Sequence, residues 1–167
     1  MPTKRTIAKA KADKRAGKSP STQAGEFIHE ELDKIRRGRH GARSARQAIA
    51  IGLSEARRSG VDLPPPRKGR TSSSTRRKAR YDSAVGQGRR KVHKRPRVAK
   101  AVKRTLKSEP RSAASHRALS RQTHRAAKRR GASARSTAAR KAVRTKGAQG
   151  RSMAAKKAAR TRARHRR

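Results

Sequence analysis

The sequence predicts an all-α protein: a short helical hairpin followed by a largely disordered, Arg/Lys/Ala-rich tail with a propensity for basic helices. Three observations predict it. Large aliphatic residues are few and mostly fall between Phe27 and Leu63, in a stretch where apolar residues recur at helical spacing. The hydrophobic class is 30% of the chain and much of it is alanine, with one Phe, one Tyr and no Trp in 167 residues. Ordering a residue costs about 1.5 kcal/mol, which a segment lacking large apolar groups cannot recover by burial. Finally, 52 Lys and Arg oppose 9 Asp and Glu, a formal charge of +43 that resists collapse.

Residues 1–18 read as a basic arm. Thr3 to Ala16 has good helix formers and stops at Gly17, but Ile7 is its one large apolar side chain. Such a helix is marginal in isolation.

Residues 19–66 read as the hairpin. Ser19-Pro20 supplies a cap and a proline at the first helical position. Ala24, Phe27/Ile28, Glu31/Leu32 and Ile35 form an apolar stripe, and Arg36-Arg37-Gly38 closes the helix. Ser44-Ala45-Arg46-Gln47 has the form of a capping box. Ala45, Ala48, Ile49, Gly52, Leu53 and Ala56 follow on one face, with Gly52 expected at the closest helix contact. Pro64-Pro65-Pro66 forces an extended exit. So small a hairpin is at the lower limit for folding alone, which makes a homodimer or a protein partner a reasonable expectation.

Residues 67–111, rich in Ser, Gly, Arg and Lys, read as a disordered basic linker. Residues 112–167 form an Ala/Arg/Lys repeat. Residues 135–145 align with 151–161 at an offset of 16, and a weaker copy lies 16 earlier, where 125–132 matches 141–148. At 100° per residue, Ala154, Ala155, Ala158 and Ala159 share one arc while Lys156, Lys157, Arg160 and Arg164 share another. Ala138, Ala139, Ala142 and Val143 stand against Arg140, Lys141 and Arg144 in the same way. Like charges at i and i+4, such as Lys156 and Arg160, oppose this helix in the free chain. The expectation is disorder alone and helix on a polyanion.

Charge is distributed as unevenly as apolarity. Residues 1–62 carry 15 basic and 7 acidic side chains, residues 63–167 carry 37 and 2. A polycation of this density selects a polyanion, and nucleic-acid phosphates are the expected partner, DNA first and RNA or a ribosomal setting second. The candidate phosphate contacts are Arg135, Arg140, Lys141, Arg144, Arg151, Lys156, Lys157, Arg160 and Arg164. Lys94, Arg95 and Arg97 join them, because Lys94-Arg95-Pro96-Arg97 loosely matches a minor-groove hook without its flanking glycine.

Aromatics for stacking bases are nearly absent, so little sequence preference is expected. Without cysteine, disulfides and thiol chemistry are excluded. The six histidines lack metal-ligand spacing and read as solvated. Glu26, Glu30, Glu31 and Asp33 read as balancing nearby cations, with Glu30–Lys34 and Asp33–Arg37 at i, i+4. No nucleophile elbow or phosphate loop occurs, so the expectation is a non-enzyme with no cofactor. The hairpin's second helix, with Arg46, Arg57 and Arg58, could read bases, but its Ala/Ile/Gly/Leu centre favours packing.

Ser21-Thr-Gln-Ala-Gly-Glu-Phe27, His40-Gly-Ala-Arg-Ser44, Gln47-Ala-Ile-Ala-Ile-Gly-Leu-Ser-Glu-Ala56 and Val61-Asp-Leu-Pro-Pro-Pro66 carry a resemblance. This stretch resembles an uncharacterised family of small basic bacterial proteins, whose members are labelled DNA-binding or of unknown function. The tail is similar in composition to bacterial histone-linker-like proteins. The resemblance implies a cytoplasmic, nucleoid-associated, histone-like setting without membrane contact, and it supplies no site residues.

Overall fold

The computed structural model describes residues 1–92 and 95–165. The chain comprises two compact units, Met1–Gln122 and Thr123–Arg167. Seven α-helices and one short 3₁₀ turn make up the described residues, with no strand among them. The all-α expectation holds; the extent of order does not match it.

In the first unit, α1 (Lys4–Arg15) begins at Thr3, whose hydroxyl accepts the Thr6 N–H. The arm is not a free appendage. Thr6 and Ala10 are buried, Ile7 packs beside them, and the Thr3 N–H donates to the Glu30 carboxylate at 3.0 Å. Helix α2 (Pro20–Arg36) has the expected Ser19 cap and buries Ala24, Phe27, Glu31 and Ile35, the expected stripe. Helix α3 (Ala45–Arg58) is capped by Ser44, whose hydroxyl accepts the Gln47 N–H at 3.2 Å.

The pair runs antiparallel. Ala24 shares a cluster with Ala56, Ile28 meets Gly52, and Ile35 shares a second cluster with Ala48. At the crossing, a Cβ on Gly52 would stand 2.8 Å from the Ile28 Cα, so only glycine fits without moving a helix.

Residues 67–111 were expected to be a disordered linker, and that expectation is corrected. Helix α4 (Ser73–Gly86) packs on α3 through Ala79 and Asp82, both buried. It starts at Ser72, whose hydroxyl accepts the Thr75 N–H. Gly86 lies so close to α3 that a Cβ would stand 1.9 Å from the Arg57 carbonyl oxygen. Helix α5 (Pro96–Ser108) follows, and its C-terminal end is tied back where the Gly41 N–H donates to the Leu106 carbonyl at 2.7 Å. The 3₁₀ turn (Arg111–Ala114) places Ala113 and Ala114 against Ile35, Ala42 and Ala48. The core is therefore built from α1 to α4 and this turn, with small residues allowing close approach.

The tail is corrected likewise. Helix α6 (His116–Arg129) is followed by α7 (Gly131–His165), which is interrupted at Gly147, where φ is 63° and ψ is −179°. Alanine has the highest helix propensity, and Lys and Arg rank close behind. A like-charge pair at i, i+4 costs only about 0.2–0.5 kcal/mol, so propensity outweighs repulsion here.

Candidate nucleic-acid interface

Inside the bundle, carboxylates are matched to cations. Asp13 meets Lys18 at 2.6 Å, Glu26 meets Lys9 at 3.4 Å, and Lys34 reaches Glu30 at 3.1 Å and Glu55 at 3.5 Å. The N-terminal amine lies 3.5 Å from Glu55. Asp33 is held by His29 and Arg36, not by Arg37 as the spacing suggested. Side chains three or four apart share a helix face, so either partner was sterically open.

Two carboxylates are shifted in opposite directions. Burial raises Glu31 above the usual carboxylate range, against the pull of His40, whose Nε2 is 3.5 Å away. Burial also pushes Glu30 upward, but hydrogen bonds from the Thr6 hydroxyl and Thr3 N–H, with Lys34 beside them, outweigh it and hold it low. His40, read as solvated, is thus half-buried against Glu31, with Nδ1 3.1 Å from the Gly41 carbonyl.

Arg57, a candidate base reader, is turned inward. Its guanidinium donates to the Leu63 and Pro64 carbonyls, fixing the proline exit, and burial lowers its pKa.

The unmatched cations lie further along the chain. Arg135, Arg140, Lys141, Arg144, Arg151, Lys156, Lys157, Arg160 and Arg164 are all exposed on α7. No ion pair reaches them among the described residues, and residues 110–167 contain no Asp or Glu. The Arg151 Nε donates to the Gly147 carbonyl at 3.2 Å. Arg95 and Arg97 are exposed, but Pro96 is the first residue of α5 and Arg97 lies within it. Lys94 lies outside the described residues.

Sequence reasoning missed the sharpest basic face in the chain. On α5, Arg97, Lys100, Lys103, Arg104 and Lys107 fall within about 120° of arc, opposite Val98, Val102 and Leu106. Val98 is 54% and Val102 51% exposed. The valine–valine–leucine spacing of four was the available signal, but it sits in a segment whose composition reads as linker. On α6, Arg117, Arg121, Arg125, Lys128 and Arg129 are exposed as well.

Fold and charge together define a helical polycation whose acids are consumed in one small bundle. Residues 11–68 match a family of unknown function (DUF6496), a span from the middle of α1 to the proline exit. No curated protein and no solved structure matches the chain. Among the described residues no helix is long and apolar enough to cross a membrane.

Proposed function

We infer that this protein is a non-enzymatic DNA-binding protein of histone-like type, which coats the duplex through phosphate contacts with little regard to base sequence. One observation carries the reading. Residues 110–167 hold 20 Lys and Arg without an Asp or Glu, and those that lie within α6 and α7 are exposed. Neutralising phosphates releases condensed counterions, so binding is driven by salt-sensitive entropy, and it needs charge density in place of a shaped pocket. The five cations along one face of α5 extend the same chemistry toward the bundle. In this scheme the bundle is a rigid end piece, and the nucleoid is the setting.

Fluorescence anisotropy of a labelled duplex tests it. If roughly 6–10 phosphates are contacted, affinity falls about 10³–10⁵-fold between 50 and 200 mM salt, and shuffling the sequence leaves it unchanged. Failure to bind at the low-salt end, or a flat salt response, overturns the reading. Competition by a structured RNA at matched salt decides between the two polyanions.

A further inference from the structure

The 16-residue repeat has a geometric consequence for α7. Sixteen residues at 100° each advance the helix by a net turn of about 160°. On an uninterrupted helix, the basic arc of Lys156, Lys157 and Arg160 would then lie where the first unit presents alanine. Arg140, Lys141 and Arg144 would face nearly the opposite way. A straight duplex could meet one arc or the other.

The chain does not continue uninterrupted. Gly147, the first residue of the second unit, leaves the helical region with φ at 63°, and Gly131, the first residue of the unit before it, has φ at 76°. At neither glycine would an added Cβ meet anything within 4 Å. Close packing therefore does not demand glycine at these positions; the backbone conformation does, because other residues are strained there. The earlier copy also respects the interval, since Ser115 is extended at the position 16 before Gly131 and α6 starts just after it.

We propose that Gly131 and Gly147 are phase-resetting joints, which divide the tail into basic helices of one repeat each so that successive units turn their cations onto the same DNA duplex. The inference rests on the DNA-binding reading above and deepens it, because it assigns to each unit a separate set of phosphate contacts. Units 131–146 and 147–162 each carry five Lys and Arg.

The test uses the full chain and a labelled duplex of about three helical turns. The readout is the slope of log affinity against log salt, which changes by about 0.9 per phosphate neutralised. Deleting residues 147–162 removes five cations and lowers the slope by about 4. G147A removes none, and circular dichroism is expected to find it at least as helical as the parent. Its slope is nonetheless expected to fall by about 3, because a continuous helix turns Lys156, Lys157 and Arg160 away from the first unit's basic arc. Inserting two alanines after Ala148 in the G147A chain makes the offset 18 residues, about five whole turns, which realigns the arcs and restores the parental slope.

A parental slope in G147A overturns the joint while leaving DNA binding intact. So does a G147A loss that the two-alanine insertion fails to restore. A parent that does not bind the duplex overturns the reading beneath it instead. Tighter binding of an RNA duplex of equal length overturns DNA as the occupant.

Discussion

Glu31 shows how a single side chain fixes the pH response of the bundle. Its carboxyl is almost fully buried, faces His40, Lys34, Glu55 and the N-terminal amine, and is held above its ordinary value chiefly by burial. A carboxyl raised in the folded state binds its proton more tightly folded than unfolded. Its contribution is therefore complete below the unfolded pKa and is lost as pH rises through the folded one. Glu30 has the opposite sign: hydrogen bonds hold it low, so its contribution is present at neutral pH and lost as pH falls. E31Q is expected to raise the melting temperature at pH 7 by several degrees and to change it little near pH 4, whereas E30Q lowers it at pH 7. Thermal melts of the two variants across this range check both signs, and a destabilised E31Q at neutral pH defeats the argument.

At the scale of elements, one carboxylate joins α4 to α3. Asp82 is 1% exposed, accepts the Ser54 hydroxyl at 2.5 Å, and has Lys78 at 3.3 Å. Removing that donor leaves a buried carboxylate short of a hydrogen bond, which costs about 1–3 kcal/mol. S54A should lower the unfolding free energy by that amount, read as a lower denaturant midpoint at unchanged m, and leave the salt slope of DNA binding unchanged. An unaltered midpoint would mean that the Ser54 hydrogen bond contributes nothing to holding α4 on α3.

Asp82 also explains what the sequence could and could not disclose. The hairpin was legible because Ala24, Phe27 and Ile35 on one helix and Ala48, Gly52 and Ala56 on the other obey the 3.6-residue period between recognisable caps. Helix α4 was not, because its buried face is a lone acid, an alanine and a glycine, and these carry no hydrophobic signal. An isolated acid in a strongly basic segment was the available clue. The 3₁₀ turn was hidden for the same reason, since Ala113 and Ala114 fill gaps that only the assembled hairpin creates. In the interface the cations themselves were legible, being a matter of counting. The glycine joints were not, because the repeat gives a spacing of 16 while their effect depends on what 16 residues do to helical phase.

Over the whole molecule, two electrostatic effects of opposite sign compete, and salt separates them. The bundle's outer ion pairs, such as Lys9–Glu26 and His29–Asp33, are exposed or half-exposed, and such pairs contribute about 0–1 kcal/mol each. Against them stands the self-repulsion of a chain with formal charge +43, most of whose cations have no carboxylate partner. At low ionic strength the Debye length of about 30 Å lets these charges act across the whole bundle, and at 1 M it shrinks to about 3 Å. Self-repulsion is the larger effect, so added NaCl is expected to raise the melting temperature of the free protein. A bundle held by its salt bridges would instead melt earlier. With saturating duplex present the order reverses: at low salt the polyanion neutralises the tail and stabilises the fold by mass action, and salt then removes that stabilisation by releasing the DNA. The two melting curves, one rising with salt and one falling, should converge where binding is lost. Parallel curves would show that the duplex does not neutralise this chain at all.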